Sequence, residues 1–219
     1  MEQFFPAGKI IKTGNPIRKE SVEIAGKQMQ ALELFKLSTT KKTILVIGGS
    51  LGARTLNNSV QAGLDKLIAA DVQVIWQTGK FYYKSIIEQL GENYHPNIRI
   101  MEFVNRMDLA YAAADIIISR AGAGTIAELC VIKKPVILVP SPNVAEDHQT
   151  KNALALVHDQ AAVFVADRDA EAKLVDKTIE LLNDKDLQKK LSNNIGKIAM
   201  PDADEVIAKE VIQITINNN

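Results

Sequence analysis

From Lys41 onward the chain alternates short apolar runs rich in β-branched residues with longer segments of helical periodicity. Two parallel strands need a crossover long enough to hold a helix, so this alternation is the mark of βαβ units on a parallel sheet. Strands are expected near 43–47, 72–77, 98–103, 116–119, 135–139 and 162–165. Between and after them, helices are expected near 56–69, 82–90, 107–113, 125–131, 147–158 and 169–183. Two further helices, near 186–197 and 202–216, follow the last strand with Pro201 as the break between them. The final one carries an apolar face at Val206, Ile207, Val211, Ile212 and Ile214. The fold class is therefore α/β, a Rossmann-like parallel sheet flanked by helices.

Residues 1–40 do not share this rhythm: Gly14-Asn15-Pro16-Ile17-Arg18 is turn chemistry, and 21–37 reads as a helical or poorly ordered connector. The expected organisation is a connector over 1–40, a ligand-binding domain over 41–200 and a terminal helix over 201–219. A connector at the start of a chain leads to the expectation that a domain normally precedes it. With 219 residues and 47% hydrophobic content, the domain can bury a sizeable core. Lys+Arg and Asp+Glu both number 26, and no basic block occurs, so nucleic acid is not expected as a partner. The longest apolar stretches, such as 134–140, are strand-length and far short of the roughly 20 residues of a membrane helix. Met1-Glu2-Gln3-Phe4-Phe5-Pro6 lacks the features of a signal peptide, and the single Cys130 can form no internal disulfide, so the expected compartment is the cytoplasm.

Two turns of small residues sit where strands are expected to end. Gly48-Gly49-Ser50-Leu51-Gly52-Ala53 follows Ile44-Leu45-Val46-Ile47, and Arg120-Ala121-Gly122-Ala123-Gly124-Thr125 follows Ile116-Ile117-Ile118 and Ser119. Small side chains let an anion approach the backbone, and a helix that starts there offers free N–H groups and the positive end of its dipole. Either turn alone equally fits a tight strand-to-helix connection. Two in one chain point to a nucleotide, with its diphosphate as the ligand. Glu128, three residues after Thr125, fits either a capping box with that threonine or an acceptor for a ribose diol. Pro140-Ser141-Pro142-Asn143 closes another strand, so Gln149 and Asn152 in the next helix are placed to bond sugar hydroxyls, although an ordinary solvated helix start has the same pattern.

Several chemistries are disfavoured. The first turn departs from G-x-G-x-x-G, and the second strand ends in Gln77-Thr78 rather than in an acid for an adenosine ribose, which argues against NAD. There is no phosphate-binding G-x-x-x-x-G-K-[ST] and no G-x-S-x-G elbow. His95, His148 and His158 lack metal-ligand spacing, so no metal is expected. Cys130 and Trp76 are expected in the core. Phe103-Val104 offers an apolar wall and backbone edge for a base, or a plain core position. Arg18 is either a surface residue or a cation reaching a diphosphate.

Taken in order, Gly14–Arg18, Gly48–Ala53, Ala123–Glu128 and Asp147-His148-Gln149-Thr150-Lys151-Asn152 resemble the C-terminal half of the MurG family. That family comprises the bacterial undecaprenyldiphospho-muramoylpentapeptide β-N-acetylglucosaminyltransferases, which move GlcNAc from UDP-GlcNAc onto lipid I to give lipid II in peptidoglycan synthesis. The resemblance covers essentially the whole chain. It implies one half of a two-domain GT-B enzyme, with UDP-GlcNAc as substrate and no separate cofactor. It further implies that Ser50 and Arg18 face the diphosphate and that the Val104 backbone reads uracil. Ala123, Gly124, Thr125, Ile126 and Ala127 would line the nucleotide loop, Glu128 would hold the ribose and Gln149 the GlcNAc hydroxyls, with Gly49, Gly52 and Asn152 close by. The implied reaction is an inverting, direct displacement at the anomeric carbon.

The chain departs from the family in lacking the N-terminal half, with the Gly-rich loop that meets lipid I, the proposed base and the membrane-facing patch. No catalytic residue is therefore expected in this chain, which alone should bind UDP-GlcNAc weakly and transfer nothing. The intact enzyme would sit on the cytoplasmic face of the membrane, with the final helix packed on the other half. Two other readings are a stand-alone donor-binding subunit of a split glycosyltransferase and a fragment like a non-hydrolysing UDP-GlcNAc epimerase.

Overall fold

The computed structural model describes residues 5–217. In chain order its helices and strands are α1 (Lys19–Val22), α2 (Gln28–Leu34), β1 (Thr43–Ile47), α3 (Arg54–Ala62), α4 (Leu64–Ala69), β2 (Gln73–Gln77) and α5 (Tyr83–Leu90). Then come β3 (Ile98–Met101), α6 (Met107–Ala113), β4 (Ile116–Ser119), α7 (Ala123–Ile132), β5 (Val136–Leu138), α8 (His148–His158) and β6 (Val163–Phe164). The chain closes with α9 (Ala170–Asn183), α10 (Lys185–Lys197) and α11 (Ala203–Asn217). All pairings are parallel, and the strands lie in the order β3-β2-β1-β4-β5-β6. That order is the doubly wound arrangement in which successive crossovers run outward from the centre in opposite directions. The α/β, Rossmann-like expectation holds.

The central strands are continuously apolar because both of their faces are covered. Side chains alternate between the faces with the period of two that a strand imposes. Leu45, Ile47, Ile75, Ile117 and Leu138 join α2, α6, α7 and α8 in one core layer. Ile44, Val46, Val74, Trp76, Ile116 and Ile118 join α3, α4, α5 and α9 in the other. Trp76 and Cys130 are buried as expected. The Trp76 indole N–H is satisfied by Asn57 Oδ1 at 2.9 Å.

The helix expected over 56–69 is two helices, because Gly63 interrupts it. A Cβ at Gly63 would lie 2.3 Å from Val175 Cγ2, so the missing side chain is what lets α9 close on this corner. The third strand stops at Met101 and the sixth is only Val163–Phe164, since neighbours limit the ladder at these outer positions. Most of the apolar face expected on the final helix is exposed: Val206, Val211, Ile212 and Ile214, together with Ile216.

Within residues 1–40, α2 is packed into the domain, with Ala31, Leu32 and Phe35 in the core layer that includes α6. An ion cluster fastens the entry to this helix. Asp108, on α6, accepts from Lys27 Nζ at 3.0 Å and from Arg106 Nη2 at 2.7 Å. The Arg106 hydrogen bond, aided by Lys27, holds the Asp108 carboxyl well below the usual carboxylate range. A carboxyl whose folded value is depressed contributes stability at every pH above its unfolded value, near 3.9, and loses it on acidification. Asp108→Asn is expected to lower stability at pH 7 by roughly 1–3 kcal/mol. Denaturant melts of both proteins should show that difference shrinking steadily as the pH falls below about 4.

Candidate functional site

A cavity of about 760 Å³ opens at the carboxyl ends of β1 and β4. These neighbours are the strands from which the crossovers diverge, and no connection passes over the gap between their ends. The loops after β1, β4 and β5 form its walls, with Phe103, Met107 and Tyr111 on a further side.

The loop after β1 is a tight turn in which Gly52 N–H donates to the Gly49 carbonyl at 3.0 Å, with φ of +83° at Gly49 and +89° at Gly52. It is clamped from behind by the turn after β2. Lys80 N–H donates to the Ser50 carbonyl at 3.1 Å, and a Cβ at Gly79 would lie 2.1 Å from Gly52 N. Asn57 adds a second tie by donating to the Thr78 carbonyl at 2.8 Å. Bare backbone packs on bare backbone here, which fixes Ser50 and the start of α3 toward the cavity. Neither α3, after Ala53, nor α7, after Gly122, has a side-chain N-cap. Two helices thus bring uncapped first turns, with their free amides and positive dipole ends, to one cavity.

Glu128 does not form a capping box with Thr125. The helix starts at Ala123 with Gly122 as N-cap, so Thr125 is already the third helical residue and no longer at the capping position. Instead Glu128 Oε2 accepts from the Tyr111 hydroxyl at 2.8 Å. Its Oε1 has no hydrogen-bond partner among the described residues, and Glu128 lines the cavity. Gln149 Oε1 accepts from Ser141 N–H at 2.9 Å, which folds the loop after β5 inward and leaves the Gln149 amide donors for a ligand. Asp167 links three walls: it pairs with the Arg120 guanidinium and accepts from Thr55 Oγ1 at 2.9 Å. Arg120 also donates to the Val139 carbonyl at 2.9 Å.

Of the residues expected at the site, Gly49, Ser50, Gly52, Thr125, Glu128 and Gln149 line the cavity. The others are not among the lining residues. Arg18 is exposed at the entry to α1. Val104 is buried, while its neighbour Phe103, half exposed, lines the wall. Ile126 turns its side chain to the core. Ala123 and Gly124 are exposed, and Ala127 is partly buried outside the lining. Asn152 braces the second loop from outside by donating to the Ala121 carbonyl at 3.2 Å. The structure adds Thr55, Tyr111, Arg120 and Asp167. Arg120 lay within the quoted turn. Tyr111 stood out only as the lone aromatic of an Ala-rich helix, and Asp167 has no local signal, since its partner Arg120 is 47 residues away. Among the described residues, no cluster of three or more His, Cys, Asp or Glu has metal-binding geometry.

A doubly wound sheet with its cavity at the switch point defines a Rossmann-like domain. Residues 43–207 match the glycosyltransferase family 28 C-terminal domain, and the chain belongs to that family. A protein of Parabacteroides distasonis named UDP-N-acetylglucosamine–N-acetylmuramyl-(pentapeptide) pyrophosphoryl-undecaprenol N-acetylglucosamine transferase is 54% identical over 98% of this chain. The chain spans 58% of that relative's length. The crystal structure of Acinetobacter baumannii MurG superimposes with a TM-score of 0.68 at 26% identity, covering 84% of this chain and 53% of MurG. A complex of Staphylococcus aureus MnaA with UDP gives a TM-score of 0.72 over 97% of this chain and 56% of MnaA; at 16% identity it shows the shared fold alone.

The loop clamp is testable with two glycines of similar positive φ, +81° at Gly79 and +82° at Gly91. Gly79→Ala adds a clash with Gly52 to the left-handed strain, whereas Gly91→Ala, at φ +82° with nothing within 4 Å, adds strain only. Thermal melts should show a cost of roughly 1–3 kcal/mol for Gly91→Ala, whose ψ of 153° lies where essentially only glycine goes, and a clearly larger one for Gly79→Ala.

Proposed function

We propose that this chain is the donor-binding half of an inverting glycosyltransferase that moves GlcNAc from UDP-GlcNAc to lipid I, giving lipid II for peptidoglycan. The observation that carries this reading is the convergence of two uncapped helix N-termini, Glu128 and Gln149 on one cavity at the switch point. The similarity to the 54%-identical N-acetylglucosamine transferase and to MurG supports it. In this reading uracil lies along Phe103 and the backbone at Val104, and the ribose diol donates to Glu128. The diphosphate sits between Ser50 with the first turn of α3 and Thr125 with the first turn of α7. Gln149 bonds the GlcNAc hydroxyls. Arg18, outside the cavity, has no part in this arrangement.

The chemistry follows from charge. Displacement at the anomeric carbon leaves a nucleoside diphosphate whose negative charge grows as the bond breaks. Fixed amides and helix dipoles stabilise that charge without reorganising. Of the carboxylates at the cavity, Asp167 is paired with Arg120, and Glu128, held by Tyr111 through Oε2, is assigned to the ribose. The groups that hold the acceptor and take its proton therefore belong to the part of the relatives that this chain does not span. In this proposal the domain proper covers 41–200, with 1–40 as the connector. The exposed Val211, Ile212, Ile214 and Ile216 of the terminal helix cover the other half. Among the described residues no helix is long and apolar enough to cross a membrane. In this proposal that other half meets the membrane, at its cytoplasmic surface.

Calorimetric titration tests the reading. UDP and UDP-GlcNAc are expected to bind saturably, NAD not at all, and Glu128→Ala to weaken both uridine ligands roughly 10- to 100-fold through loss of charged hydrogen bonds. Equal binding of UDP by wild type and Glu128→Ala would remove the ribose assignment. Absence of uridine binding both alone and after addition of an N-terminal half from a relative would remove the whole reading.

A further inference from the structure

Tyr111 occupies a position that packing alone does not explain. It sits at the middle of α6, among Ala110, Ala112 and Ala113, with its ring fully buried. The residue borders the cavity, and its buried hydroxyl donates to Glu128 Oε2 at 2.8 Å, across to a different helix. Burial, reinforced by the adjacent carboxylate, pushes the phenol far above its ordinary range, so it remains a proton donor at any physiological pH. A rigid ring with two torsions, locked by the core, thus holds one oxygen of a flexible carboxylate. The second oxygen, Oε1, is left without a protein partner on a residue that lines the cavity.

We propose that Tyr111 is a positioning residue for sugar selectivity: by holding Glu128 Oε2 it presents Oε1 to the vicinal hydroxyls of a ribonucleotide and so disfavours 2′-deoxyribonucleotides. This inference rests on the uridine-nucleotide reading above. Two hydroxyls donating to one carboxylate oxygen demand a fixed approach direction, and a freely rotating glutamate would lose it to water. Removing the phenolic oxygen leaves the ring in the core, and Glu128, being partly exposed, can turn to solvent instead. The variant Tyr111→Phe therefore keeps the fold, which circular dichroism melts verify.

The test is calorimetric binding of UDP and of 2′-deoxyuridine 5′-diphosphate to wild type, Tyr111→Phe, Glu128→Ala and the double variant. Wild type is expected to prefer UDP by roughly tenfold, the worth of one charged hydrogen bond. In Tyr111→Phe that preference falls to within about twofold, with the deoxy ligand's affinity little changed. The double variant binds like Glu128→Ala, because Tyr111 acts only through the carboxylate. A preserved preference in Tyr111→Phe, equal weakening of both ligands, or additive losses in the double variant overturns the role of Tyr111 alone. A wild type that binds neither ligand, alone and with an N-terminal half from a relative added, or that binds both equally, overturns the ribose assignment on which that role rests.

Discussion

The opposite winding of the two crossovers about β1 and β4 is the constraint on which the site depends. Strands β1 and β4 pair side by side, from Ile44 with Ile116 to Ile47 with Ser119, yet the chain leaves their carboxyl ends for opposite sides of the sheet. A gap opens there because each connecting helix packs on its own face, and nothing in the backbone crosses between them. Everything polar that matters to the cavity is fastened to that gap. The apolar strands below are buried on both faces, so they form a rigid floor from which short loops project.

The loops themselves are held by contacts of a different kind from those of the core. Backbone against backbone fixes the first, at Gly52 and Gly79, where no side chain fits. The third is drawn inward by the Gln149 carbonyl on the Ser141 amide, and the Arg120–Asp167 pair with Thr55 ties the walls together. Tyr111 fixes Glu128. At Gln149 and Glu128 the tie uses one polar atom of the side chain and leaves the other to the cavity, which is how a site is preorganised without being blocked. The same economy appears in the two helices that end at the cavity with no side-chain cap of their own.

Much of the fold was legible in the chain because its signals are local. The runs at 43–47 and 116–119 are apolar without alternation, as strands buried on both faces must be, and each ends in small residues. Gly63 was legible as a residue and not as a break, since its reason is Val175 on a helix more than a hundred residues further along. Of the residues that line the cavity, Ser50, Thr125 and Glu128 are marked in the chain by a glycine-rich turn, and Gln149 by the strand end that precedes it. Along the run from Ala123 to Ala127 a helix sends its side chains in all directions, so Ile126 packs against the core while Thr125, with Glu128 beyond it, lines the cavity. Tyr111 and Asp167 escaped notice because a residue's role in a network lies in partners that only folding brings near.

The central claim is that both small-residue loops, and the helices behind them, hold one nucleotide diphosphate between them. The most direct measurement is a titration of the ¹⁵N-labelled chain with UDP, following backbone amide resonances residue by residue. The predicted result is that shifts concentrate in both loops together, at Gly49–Ala53 and at Gly122–Thr125, saturating with a single affinity. Shifts confined to one loop, or gathered instead along the groove between Leu34 and the edge strand at Arg99, would contradict it.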